Sequence, residues 1–455
     1  MTPYGHKQYQ VETLEALREY LRRTVAVQDA DMAFYQQTRR AYSDIGNTLK
    51  IPSLTGLPYV CLRLPTGGGK TVVACRAISV AVEEYLRREK PLVLWLAPSD
   101  AIVSQTLQAL KNRNHPYRQS LESELGAAIE AVSLDEAHAL MRPTLDGNTV
   151  IIVATVQSLR VEGGKKENRK IYDASGALMP HFDALTPQQE ALPLDRYENG
   201  KPVPSRANAL AIRTPLVIAG EAHNFRTRLT FESLARFCPA LILEWTATPD
   251  KEDFSPNVLH HVSAAQLKAE GMIKMPIELR TDPDWKNALR DAKARRDSLE
   301  ESAARLEGEY LRPIALLQAQ KKGEPVTWDV LESALRDELK IPANQIAVET
   351  GDRSDLNGVK ISDPNCPVRY VITVDKLREG WDCPFAYVLY SARNLSSKTA
   401  VEQILGRVLR MPSATRKPES LEELNHAYAF ITSHKFGDAV KALKDSGSGL
   451  QSDTN

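Results

Sequence analysis

The chain has 455 residues, 42% of them hydrophobic and 25% charged, and its 58 basic and 58 acidic side chains balance to a formal net charge of zero. That length suits two or three globular domains, and with no apolar run long enough to span a bilayer and a polar N-terminus it excludes a membrane-spanning or signal-bearing chain. Five cysteines (Cys61, Cys75, Cys238, Cys366 and Cys383) stand without C-x-x-C spacing, which argues against a zinc ribbon or disulfide framework and predicts a reducing, cytoplasmic setting.

In chain order, the first strong element is Tyr59-Val60-Cys61-Leu62-Arg63-Leu64, an apolar run that predicts a buried strand over 59–64. It leads into Pro65-Thr66-Gly67-Gly68-Gly69-Lys70-Thr71, and an alanine- and valine-rich stretch over 72–85 predicts a helix behind it. Strand, glycine-rich loop, Lys-Thr and helix form a phosphate-binding arrangement. The glycines of 66–69 let backbone N–H groups close around a phosphate. Lys70 would reach the β- and γ-phosphates, and the Thr71 hydroxyl would hold Mg²⁺. A nucleoside triphosphate is the expected ligand. Leu64 occupies the place of the first glycine in the pattern G-x-x-x-x-G-K-[ST], so a glycine-rich turn with a chance Lys-Thr is the alternative.

Strand-like runs follow at 92–97, 149–154, 216–219 and 240–245, alternating with helical stretches as a parallel α/β architecture requires. The segment 161–213 is polar and rich in Gly, Pro and Asn and predicts an insertion. A highly charged run over 284–311 predicts a solvated helix placed to bridge two domains. Asp282-Pro283-Asp284 at its start reads as a turn and helix cap. The α/β rhythm then restarts, with strands at 313–317, 346–349, 370–373, 387–391 and 426–432 and helices at 328–339, 400–409 and 438–444. The last residues, 446–455, read as a flexible tail. The domain reading is therefore a first lobe over 1–275, a linker helix over 276–311, a second lobe over 312–445 and the tail.

A phosphate loop in the first half gives weight to Gln403-Ile404-Leu405-Gly406-Arg407-Val408-Leu409-Arg410 in the second. On a helix, Gln403, Arg407 and Arg410 stand at i, i+4 and i+7 and share a face, presenting two guanidinium groups to a triphosphate. These stretches resemble superfamily 2 helicases and translocases over nearly the whole chain. Gln403 to Arg410 looks like motif VI, with Arg407 and Arg410 as arginine fingers. Thr373 through Glu379-Gly380-Trp381-Asp382-Cys383-Pro384 looks like motif V, with Gly380 and Asp382 near the nucleotide. Thr246-Ala247-Thr248-Pro249 looks like motif III. Ala97-Pro98-Ser99 and Thr155-Val156-Gln157 resemble strand-contacting motifs, and Gln10 resembles the adenine-reading glutamine. Glu379 to Phe385 followed by Gln403 to Pro412 narrows the resemblance to the motor part of type III restriction enzymes and related phage-defence proteins.

The resemblance implies two tandem RecA-like parallel-sheet lobes, α/β in class, with an ATP cleft between them. It implies an ATP hydrolase that uses ATP and Mg²⁺, and DNA, double-stranded, tracked through Ser99, Gln105, Thr155 and Thr373. A neutral total charge does not oppose this, because phosphate-tracking motors use amides, hydroxyls and a local groove. Methyltransferase, nuclease or other defence subunits are the implied partners. At motif II the family has Asp-Glu-x-His, whereas this chain has Gly220-Glu221-Ala222-His223. Glu221 would remain as base and metal neighbour, and the Mg²⁺-holding carboxylate would be missing. Asp135-Glu136-Ala137-His138 precedes Thr155-Val156-Gln157, the wrong order for motif II, and reads as structural. Slow hydrolysis is thus expected. An RNA helicase of the same superfamily and a non-hydrolysing nucleotide-bound scaffold or sensor are the rival readings; a small-molecule kinase fails on length and on the arginine helix. No nuclease domain fits after residue 410, which suggests a motor fragment or a motor-only protein.

Overall fold

Runs of leucine, isoleucine and valine flanked by turn residues fold into strands buried on both faces, as parallel sheets demand. The computed structural model describes residues 7–159, 171–220, 225–247, 255–351, 353–374, 383–394 and 398–433, with backbone alone for 398–400, 402 and 403. The first sheet contains β1 (Tyr59–Arg63), β2 (Leu92–Ala97), β3 (Ile129–Ser133), β4 (Thr149–Thr155), β5 (Leu216–Gly220), β6 (Leu241–Thr246) and β7 (Val258–His261). Their order is β3-β4-β2-β5-β6-β1-β7, and every pairing is parallel. The register aligns Ile152, Leu94, Val217 and Ile242 in one row across four strands. That row packs in a core with Phe225, Phe231 and Phe237, each fully buried chain of this kind contributing about 1.5–3 kcal/mol. Helices α1 (Gln8–Val27), α2 (Lys70–Ala81), α3 (Asp100–Lys111), α4 (Pro116–Leu125) and α5 (Arg228–Ala235) belong to this unit. Among them α2 packs on α1 and α4, and α3 lies on β2, β3 and β4.

The second sheet contains β8 (Ile277–Thr281), β9 (Ile314–Gln318), β10 (Ile346–Glu349), β11 (Tyr370–Thr373), β12 (Ala386–Ser391) and β13 (Ala427–Ile431), in the order β10-β11-β9-β12-β13-β8. It too is parallel throughout. Ile372, Leu317, Tyr390 and Phe430 form its cross-sheet row. Two parallel sheets with helices confirm the α/β class.

The charged run does not behave as a solvated bridge. It forms α6 (Trp285–Ala303), capped by Asp284, whose carboxylate accepts from Lys286 N at 2.8 Å and Asn287 N at 3.2 Å. Ala288, Leu289, Ala292, Leu299 and Ala303 are buried in the core of the second sheet. The spacing is helical, but alanines make most of the stripe, so the buried face is hard to see among the charges. Arg296 lies in the same face, 5% exposed, bonded to Asp297 and Glu300 and over the ring of Tyr370.

Contacts divide the chain into one unit of 1–64 with 69–262 and a second of 65–68 with 263–455. The lobe boundary expected at 275 thus falls earlier, and β8 and α6 belong to the second unit. The segment expected as an irregular insertion carries short helices at Pro187–Glu190 and Arg206–Ala211. Leu194, Ala211, Ile212 and Cys238 give it a small core of its own. The helix expected at 438–444 lies outside the described residues. Among the described residues no helix is long and apolar enough to cross a membrane.

Candidate functional site

Because all strands of the first sheet run the same way, their C-terminal ends share one edge, the usual ligand edge of an open α/β sheet. Five of the motifs found in the sequence emerge there. β1 runs into 65–71, β2 into Pro98-Ser99 and β4 into Val156. β5 ends at Gly220, and β6 ends at Thr246. The β5 and β1 ends are separated only by β6, which places them about 10 Å apart at ordinary strand spacing.

The loop after β1 has the backbone its glycines permit. Leu64 N–H donates to Thr246 O at 3.0 Å and Gly68 N–H to Pro65 O at 3.1 Å. Gly67 has φ 87° and Gly69 φ 69°, both in the left-handed region where side chains are strained. Gly69 is the N-cap of α2, which starts at Lys70 and continues through Thr71. Leu64 is fully buried as the strand's continuation, and since it is not among the residues of positive φ its backbone needs no glycine. The left-handed glycines at the start of α2 fit a triphosphate.

Gly220 does not have the backbone of a required glycine. Its φ is not positive, and among the described residues a Cβ added to it would meet only Leu96 O, at 3.6 Å. A side chain is therefore sterically allowed at the end of β5. Glu221 lies outside the described residues. The stretch Gly220-Glu221-Ala222-His223 carries one carboxylate fewer than the Asp-Glu-x-His it resembles, and among the described residues no three His, Cys, Asp or Glu side chains gather as a metal site. Asp135 and Glu136 follow edge strand β3, where Glu136 accepts from Ser133 N at 2.8 Å and from Lys111 Nζ at 2.7 Å. Four strands separate β3 from β1, so this stretch is structural, as its order in the sequence suggests.

Segment 225–227, just beyond motif II, is pinned by a feature the sequence did not disclose. Arg226 lies against Glu244 of β6, with Nε 3.0 Å from Oε1, and Tyr59 Oη donates to the same carboxylate. Glu244 is 0% exposed and Arg226 3%. Burial works to lower the Arg226 pKa, but hydrogen bonds and charge from Glu244 hold it above the ordinary value. Burial, with Glu244 alongside, pushes the Tyr59 phenol and Cys61 thiol well up. Removing one partner strands a buried charge, so Arg226→Ala is expected to destabilise the protein by about 3–5 kcal/mol. Urea unfolding would show it as a lower midpoint with the slope unchanged. The only sequence signal was an acidic residue inside Leu241-Ile242-Leu243-Glu244-Trp245.

Gln10 lies in α1, 7% exposed, its Nε2 donating to Tyr9 Oη at 3.2 Å. Ser99 precedes α3 without capping it, and its Oγ is buried without a hydrogen-bond partner among the described residues. Ala97 pairs with Thr155 across β2 and β4, which brings Ser99 and Thr155 to neighbouring strand ends. Thr155 Oγ1 accepts from Ser158 N at 3.3 Å, and Gln105 is exposed on α3.

In the second unit Thr373 ends β11, and its Oγ1 is likewise buried and without a partner among the described residues. Gly380 and Asp382 lie outside the described residues. Helix α7 (Lys398–Val408) carries Gln403 and Arg407. Arg410 is not on that helix, contrary to the expected shared face. The chain leaves the helix because Leu409 O accepts from Lys274 N at 2.6 Å and Met411 N donates to Met272 O at 3.0 Å, making an antiparallel bridge of Arg410 with Ile273. Pro412 follows and cannot continue a helix. Residues 65–68 belong with this unit. Within it, a Cβ on Gly406 would stand 2.7 Å from Thr66 Cγ2, and one on Gly67 would stand 3.0 Å from Ile273 Cγ2 and 3.6 Å from Arg410 Cγ.

The sequence matches the family model described as "Type III restriction enzyme, res subunit" over residues 4–251. No curated protein matches it significantly. Among solved structures, the chain is similar to the ATP-dependent Type ISP restriction-modification enzyme LlaBIII bound to DNA, at 14% identity and TM-score 0.48, over 89% of this chain and 30% of that one. It is similar to Mycobacterium smegmatis helicase Lhr bound to ssDNA and AMP-PNP, at 14% identity and TM-score 0.48, over 93% of this chain and 50% of that one. It is also similar to S. cerevisiae Dbp5 bound to RNA and ADP BeF3, at 12% identity and TM-score 0.46, over 95% and 94% of the two chains. The chain therefore spans less than a third of LlaBIII and half of Lhr.

Proposed function

The chain belongs to the family described as type III restriction enzyme, res subunit, and from that membership and the resemblance of its motifs to superfamily 2 helicases we propose that it is an ATP-driven motor that moves along double-stranded DNA. The observation that carries this reading is the loop of 65–71, with left-handed Gly67 and Gly69 at the start of α2, on the same sheet edge as Ser99 and Thr155. Backbone amides of 66–69 and the Lys70 ammonium bind the phosphates, and Gln10 reads the base. Thr71 would hold Mg²⁺, whose charge would offset that developing on the phosphates. Glu221 orients and deprotonates the attacking water. Arg407 and Arg410, with Gln403, meet the γ-phosphate, and Gly380 and Asp382 flank the nucleotide. Ser99, Gln105, Thr155 and Thr373 contact phosphates of the tracked DNA without reading sequence. Buried hydroxyls at Ser99 and Thr373 without a partner among the described residues support that role, since such groups are normally satisfied.

In a defence setting this motor would serve a methyltransferase, nuclease or other effector subunit in the cytoplasm. A second reading, a nucleotide-bound scaffold or sensor with little turnover, is favoured by Gly220. Both readings expect DNA binding dominated by phosphate contacts. In the presence of a non-hydrolysable ATP analogue, affinity for a duplex is expected to fall steeply with salt, the logarithmic slope approaching about −0.9 per phosphate contacted. A flat salt response, or a preference for RNA over duplex DNA in competition, would overturn the DNA assignment.

A further inference from the structure

Lys274 is 0% exposed, an unusual place for an ammonium, which costs several kcal/mol to bury unless its donors are satisfied. Here Nζ donates to Pro384 O at 2.9 Å and Ala386 O at 2.6 Å, and it lies 3.8 Å from the centroid of the Tyr387 ring. Two carbonyls and one aromatic face use the three donors a lysine has. Burial pulls its pKa well below the ordinary lysine value, with Cys383 and Lys417 acting in opposite, lesser senses. A methionine would fill this space without the cost of a buried charge. What the ammonium adds is a fixed position at the start of β12.

The backbone of the same residue has a second attachment. Lys274 N–H donates to Leu409 O and Met411 N–H to Met272 O, so the segment 272–274 carries the residues on both sides of Arg410. Its middle residue, Ile273, bridges Arg410 directly and lies with it beside Gly67. We infer that Lys274 is a positioning residue for triphosphate recognition: by anchoring segment 272–274 to Pro384 and Ala386, it sets where Arg410 stands relative to Gly67. This rests on the proposal that Arg410 meets the γ-phosphate. Lys274 touches no nucleotide in this account and acts through Arg410.

The inference separates from a purely structural role by the preference for ATP over ADP, since Arg410 is assigned to the phosphate that ADP lacks. The measurement is titration of the full chain with mant-ATP and mant-ADP. Lys274→Met is expected to lower the ADP-to-ATP ratio of dissociation constants by about tenfold, as is Arg410→Ala, while ADP affinity stays within about twofold. The double variant should show no further loss, the signature of two residues acting through one contact. Lys274→Gln keeps a donor for one carbonyl and should recover part of the ratio; it also carries the test should Lys274→Met fail to fold. A folded variant with the parent ratio, or an equal loss for ATP and ADP, would overturn the inference. An unaltered chain that binds neither nucleotide would overturn the ATP-site proposal itself, and this inference with it.

Discussion

Replacing Gly220 by aspartate is expected to raise steady-state ATP turnover by about ten- to a hundredfold, the size of effect that outer-shell metal partners have. The substitution adds the one carboxylate that the motif II stretch lacks, next to Glu221. The backbone permits it. Gly220 ends β5 without a positive φ, and the nearest described atom to the added Cβ, Leu96 O, is 3.6 Å away. The carboxylate would emerge at the strand end two positions across the sheet from β1, whose loop leads to Thr71. Nucleotide affinity should change little, because the loop amides and Lys70 are untouched. Phosphate release by the two proteins, with and without duplex DNA, is the measurement. Equal turnover would show that Gly220 does not limit hydrolysis and would sink the explanation of slow turnover by a missing carboxylate.

Lys70→Ala is expected to weaken ATP binding on the order of a hundredfold or more, since an ammonium shared by two phosphates supplies more than one charge-assisted hydrogen bond. ADP should lose less, because one of those phosphates is absent. The fold should tolerate the change: Lys70 is the first residue of α2 and only half-buried, and alanine is the best helix former. Titration with a fluorescent ATP analogue reads the effect. Retained affinity would mean that 65–71 is a glycine-rich turn and not a phosphate site.

The central strands were legible because parallel strands buried on both faces need unbroken apolar runs; Thr149–Thr155 is buried at every position. The edges were not. Ile129–Ser133 contains an exposed glutamate, Val258–His261 carries two histidines and Ile277–Thr281 mixes glutamate and arginine. An edge strand is half-solvated, so its sequence resembles a loop. The site divides in the same way. The strand, glycine-rich turn and helix of 59–81 were legible because their residues are contiguous. Arg226–Glu244 and Lys274–Pro384 were hidden because their partners are distant in sequence and meet only through the sheets. Arg410 shows a further limit: helical spacing placed it on a shared face with Arg407, and pairing with segment 272–274 took it off the helix.

The position of β1 has a bearing on how the protein is made. Its sheet neighbours are β6 and β7, and Tyr59 pairs with Ile242, about 180 residues later in the chain. At ordinary synthesis rates of about 5–20 residues per second, the strand that carries the phosphate loop waits roughly 10–40 s on the ribosome for its first partner. A nascent chain that stops short of Leu241 already contains every loop residue from Pro65 to Thr71. It lacks the strand whose Thr246 carbonyl receives the Leu64 amide. The proposed nucleotide site is therefore among the later features this polypeptide completes as it emerges.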